Sequence, residues 1–153
     1  MRVSSVRTPA VRARLGLFAV LGAALLFPAC GRPGHQPVYP VQGQVLLEGT
    51  PLPGAQVFLH PIGQEEGGQP VRPVGRAGPD GSFRLTTYDA DDGAPAGTYA
   101  VTVELRRRPP GQPEGDFSRN VLPARYANPQ TSPLRVEVAA GANDLGPLRL
   151  ARR

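Results

Sequence analysis

From Val41 onward, apolar and polar side chains alternate in short bursts, the period of a strand with one buried face. "VQGQVLLEG" sets Val41, Gly43, Val45 and Leu47 on one side and Gln42, Gln44 and Glu48 on the other. "AQVFLHPI" turns Ala55, Val57 and Leu59 inward and Gln56, Phe58 and His60 outward. In "SFRLTTY", Phe83 and Leu85 alternate with Arg84 and Thr86. In "TYAVTVEL", Tyr99, Val101, Val103 and Leu105 alternate with Thr98, Ala100, Thr102 and Glu104. "LRVEV", from Leu134 to Val138, and "LGPLRL", with Leu148 and Leu150 inward, continue the pattern. "VRPVGRA" is a weaker strand, and Pro73, which cannot donate to a ladder, places it at an edge.

Turn chemistry separates these segments in "TPLPG", "EEGGQP", "GPDG" and "GAND". The 19 glycines and 19 prolines therefore read as punctuation between strands rather than as disorder. About seven short strands follow, each with an inward set too small to stand alone. They predict an all-β fold, a single antiparallel β-sandwich over residues 41–151. One stretch breaks the pattern. Residues 106–133, "RRRPPGQPEGDFSRNVLPARYANPQTSP", are expected as a long loop. Phe117, Val121, Leu122 and Tyr126 would pin it, with a helical turn near Asp116–Asn120.

The first thirty residues follow a different logic. Arg2, Arg7, Arg12 and Arg14 are the only charged side chains ahead of Cys30, and Leu15 to Phe27 is uncharged. This is the layout of an export signal, residues 1–29, folded as a signal-peptide helix. Its apolar stretch falls short of the roughly 20 residues a membrane span needs. Cys30 is the only cysteine, so no internal disulfide can form. "LLFPACG" resembles a bacterial lipobox, in which the cysteine thiol takes a diacylglycerol. It departs from the usual pattern at Phe27 and Pro28. The resemblance implies cleavage after Ala29, lipidation of Cys30 and attachment to a bacterial membrane. Residues 30–40 would be a tether, its ten or so residues reaching at most about 35 Å. The alternative is an ordinary signal and an unlipidated secreted binding protein.

Removing the signal changes the charge. The whole sequence carries 17 basic and 12 acidic residues, a net of +5, but four of those arginines precede Cys30. The remainder holds 13 basic and 12 acidic residues, a net of +1. That balance gives no reason to expect a nucleic-acid partner.

Candidate chemistry is sparse. "DADDG" crowds Asp89, Asp91 and Asp92 into a weak calcium-site candidate, set against a plain polar turn. Counted from Asp89, a calcium loop wants an acid at position 5 and glutamate at position 12, where Gly93 and Ala100 stand. His60 has no companions at metal-ligand spacing, so no metal centre or cofactor is expected. No serine lies in a Gly-x-Ser-x-Gly elbow, and only His35 and His60 could serve as a catalytic base. Glu65 and Glu66, beside Gly67 and Gly68, read as a solvated hairpin tip. Arg106, Arg107 and Arg108 form the densest basic patch. With Tyr126 they make the long loop a candidate contact surface, although three charges are fewer than the 4–8 of a polybasic lipid-binding cluster.

Three stretches together carry a family resemblance: "GQVLLEGTPLPGAQVFLHPI", "DGSFRLTTYDADDGAPAGTYAVTVEL" and "LPARYANPQTSPLRVEVAAGANDLGPLRL". They resemble the small bacterial envelope lipoproteins built on a carboxypeptidase regulatory-like domain, a transthyretin-like β-sandwich. The resemblance spans about Val41 to Leu150 and rests on turn and core residues. It implies a non-catalytic module in the cell envelope, with an envelope protein or polysaccharide as partner. The purine-pathway hydrolase of the transthyretin-like fold needs a Tyr-Arg-Gly-Ser tail, and this chain ends "RLARR". A hydrolase of an envelope polymer on the same sandwich is the rival expectation.

Overall fold

The computed structural model describes residues 35–63, 71–108, 111 and 119–153. The expected signal peptide, Cys30, Glu65, Glu66 and Phe117 lie outside them. The described chain is all-β, with no α-helix. Its longer strands are β1 (Val41–Leu47), β2 (Gln56–Pro61), β3 (Val74–Arg76), β4 (Ser82–Thr86), β5 (Gly97–Glu104), β6 (Arg135–Val138) and β7 (Asn143–Leu150). They form one curled, hydrogen-bonded path in the order β6-β5-β2-β3-β4-β1-β7.

The path bends at β4, which serves two neighbours in succession. Ser82, Phe83 and Arg84 pair antiparallel with Gln44, Gly43 and Gln42 of β1. Leu85 and Thr86 then pair with Gly75 and Val74 of β3. Bending there turns the inward side chains of the two halves toward each other. Val41, Val45, Phe83 and Leu148 meet Val57, Leu59, Leu85, Tyr99, Val101 and Val103 in a single core. All of these were inward in the sequence pattern; which of them meet across the bend is what alternation cannot specify. Each such aliphatic side chain, fully buried, contributes about 1.5–3 kcal/mol. The bend needs a residue without a side chain opposite Leu85. A Cβ on Gly75 would stand 2.6 Å from the Arg84 carbonyl oxygen.

Several expectations are corrected. The pairing of β7 with β1 is parallel, with a register shift between Asp144 and Pro147. β3 is interior rather than an edge. Pro73 stands just before it, and its carbonyl accepts the Leu59 N–H at 2.9 Å, so the ladder to β2 reaches Pro73 through its acceptor alone. Ala100 and Thr102, expected outside, are buried. They are small residues on β5, which is paired on both sides by β6 and β2, and Phe58, His60 and Arg135 stand beside them in the ladder. β7 begins at Asn143, inside the expected turn. The Asn143 side chain closes that turn itself, bonding the Ala139 N–H and the Ala139 and Gly141 carbonyls.

The long loop is also more ordered than expected at both described ends. Arg106–Arg107 pairs antiparallel with Arg119–Asn120. Arg119 and Asn120 are therefore strand, residues 116–118 of the expected helical turn lie outside the described residues, and a 3-10 turn is found at Ala124–Tyr126. Leu122 and Tyr126 do enter the core, whereas Val121 is 48% exposed.

Candidate binding groove

The ladder register decides which outward side chains share a surface. Gln42 stands opposite Arg84, Gln44 opposite Ser82, Gln56 opposite Arg76, and Val74 opposite Thr86. Directly opposed residues project from the same face. Each of these alternates with a core residue, so together they occupy the face turned away from the core. They line an open groove of about 960 Å³ that crosses the bend at β4 and also includes Asp91 and Asp144. A hollow of about 380 Å³ shares Gln42, Arg84, Asp91 and Asp144 with it and reaches Asn143.

Part of the lining is already held in place. Gln42 Nε2 donates to Asp144 Oδ2 at 3.3 Å, and Asp144 Oδ1 accepts the Gly146 N–H at 2.8 Å. Gln44 Nε2 donates to the Asp80 carbonyl at 2.8 Å. Asp80 is fixed in turn: its carboxylate accepts the Ser82 hydroxyl and N–H, which hold it below the usual carboxylate range. The two guanidinium groups are different. Arg76 and Arg84 are exposed, and among the described residues neither makes an ion pair or a side-chain hydrogen bond.

The acidic turn is built the opposite way. Asp92 accepts the backbone N–H groups of Thr87 at 2.6 Å, Tyr88 at 2.9 Å and Asp89 at 2.9 Å. Burial by itself would raise its pKa; the backbone donors outweigh that and hold it below the ordinary value. Asp91 takes a left-handed conformation, φ 59°, which aspartate tolerates, and its N–H reaches Thr86 Oγ1. Gly93 has φ +99°, and a Cβ there would overlap the Tyr39 carbonyl. Asp89, Asp91 and Asp92 do not converge: among the described residues no three acidic, histidine or cysteine side chains group as metal ligands. Asp91 instead lines the groove.

The same turn grips the start of the domain. His35 stacks on Tyr88 at 4.0 Å and 4°, and the Gln36 N–H donates to Tyr88 Oη at 3.2 Å. Val38–Tyr39 pairs with Ala94–Pro95. The segment expected as a tether is therefore docked from His35 onward.

The other candidate residues are placed elsewhere. His60 Nε2 lies 2.9 Å from Thr102 Oγ1. Burial first, and the Arg72 charge second, lower its pKa below the ordinary histidine value. Arg106, Arg107 and Arg108 are all exposed, and Arg106 lies 3.8 Å from Glu104. Tyr126 is buried rather than offered for contact: its Oη accepts the Ala151 N–H, and Arg125 lies 4.7 Å over its ring. Arg125 also donates to the Ala151 and Arg153 carbonyls, fastening the end of β7. No family model matches the chain, and no curated protein matches it.

Sequence reasoning passed over the groove. Its signal was present as polar residues at the outward positions of four segments, but nothing local says which segments are neighbours.

Proposed function

We propose that this chain is a non-catalytic, lipid-tethered module of the bacterial cell envelope that binds a partner through the groove over β4. The observation that carries the binding role is a pair of guanidinium groups, Arg76 and Arg84, unpaired among the described residues and set among pre-positioned amides in one concavity. The fold is read as a transthyretin-like sandwich of about seven strands, of the carboxypeptidase regulatory-like kind. The single curled sheet, closing both halves on one core, supports that reading. The non-catalytic role is supported by the histidines: His35 is stacked on Tyr88, His60 is bonded to Thr102, and neither lines the groove.

The tether rests on "LLFPACG" and Cys30. Because the chain is docked from His35, only Gly31 to Gly34 would separate a lipidated Cys30 from the docked segment. Two measurements test the reading. Cys30→Ser should move the protein from the membrane to the soluble fraction; a wild type already soluble defeats the anchor. Crosslinking in intact envelope should recover a partner that the Arg76→Gln/Arg84→Gln variant loses; equal recovery defeats the groove.

A further inference from the structure

We propose that the groove over β4 takes an acidic glycan, a hydroxyl-rich chain carrying carboxylates, of the uronate class. This rests on the binding-module reading above and names its ligand. A guanidinium fork matches a carboxylate in two parallel hydrogen bonds. Arg76 and Arg84 present two such forks from different strands in one concavity, neither spent on an ion pair among the described residues. The two differ in surroundings: Arg84 lines the smaller hollow with Asp91 and Asp144, whereas Arg76 lies outside it.

The amides supply the rest of the chemistry. Gln42, Gln44 and Gln56 each offer a donor and an acceptor, the complement of a sugar hydroxyl, which is also both. Gln42 and Gln44 are already oriented by Asp144 and by the Asp80 carbonyl, which lowers the cost of ordering them on binding. Asp91 and Asp144, which share the smaller hollow with Arg84, accept hydrogen bonds from sugar hydroxyls and repel carboxylates there. The ligand's charge is thereby steered toward Arg76.

A peptide fits less well. Its side chains need apolar pockets as anchors, and the apolar side chains here are Val74, Pro147 and a Phe83 ring that is buried beneath Gly43. An extended peptide adds to a free sheet edge, but β1 and β3 are each paired on both sides.

Calorimetric titration of the purified full-length protein with an oligogalacturonate tests this, with cellohexaose and oligoglutamate as comparisons. The oligogalacturonate should bind at least tenfold more tightly than either. The Arg76→Gln/Arg84→Gln variant should lose at least tenfold in affinity at an unchanged melting temperature. Absence of oligogalacturonate binding, equal binding of cellohexaose, equal binding of oligoglutamate, or undiminished binding by the variant each overturns the proposal. If the titration fails while envelope crosslinking still depends on the two arginines, the ligand class is wrong and the groove stands. If both fail, the binding-module reading falls with it.

Discussion

Two sets of charged side chains lie close together in the sequence and were given opposite uses by the fold. Asp92, in the densest acidic run, is consumed by its own backbone: three N–H groups converge on one carboxylate. Arg76 and Arg84, scattered singly among strand residues, are brought into one groove by pairings across β4 and left unengaged among the described residues. Charge density along a chain therefore says little about where a ligand would bind. A cluster close in sequence can satisfy itself, whereas charges gathered by a sheet register have no local backbone to bond.

The largest way to break this contrast is to remove the turn's geometry. Gly93→Ala puts a methyl group into the Tyr39 carbonyl at a left-handed φ, and should cost about 4 kcal/mol or more, read as loss of the folded baseline in chemical denaturation. Asp92→Ala should be milder, about 1–2 kcal/mol, the scale of a lost backbone cap at a partly exposed site. Its pH dependence sharpens the point. Asp92 titrates below its ordinary 3.8 in the folded protein. Its contribution is present above that value and lost as pH falls through the folded pKa, so the variant should show a shallower acid limb.

His60 should give a smaller effect in another window. Its folded pKa is lowered from 6.5, so the unfolded chain takes a proton more readily. Stability should fall as pH drops below 6.5 and level off at the folded pKa; His60→Gln should flatten that limb in urea titrations. Smallest of all in stability are Arg76→Gln and Arg84→Gln, each within about 0.5 kcal/mol because neither side chain has a bonding partner among the described residues. Millimolar calcium should likewise leave the melting temperature unmoved, and a rise of several degrees would restore the metal reading of the acidic turn.

Much of the fold was legible in the sequence. Alternation placed Val45, Val57, Phe83, Leu85, Tyr99, Val101 and Val103 in the core, and "GPDG" and "DADDG" marked real turns. Legibility failed where a residue's fate depends on distant segments. Thr102 is buried beside Phe58 and His60 of β2, with His60 Nε2 2.9 Å from its hydroxyl, and Pro73 does not force an edge because it lies just outside β3 and offers only its carbonyl, to the Leu59 N–H. Tyr126 was legible as a pin of the long loop, but not as the acceptor of the Ala151 N–H from the end of the chain. The groove was hidden for the same reason: Gln42 and Arg84 are forty-two positions apart and meet only through the register of β1 with β4.

Amide chemical-shift mapping during an oligogalacturonate titration tests most directly whether the groove, and not the acidic turn, is the working surface. The account predicts shifts concentrated at Gln42, Gln44, Gln56, Arg76 and Arg84, with the Thr87, Tyr88 and Asp89 amides that bond Asp92 left unmoved. Shifts centred instead on those three amides, or on Arg106 to Arg108, would contradict it.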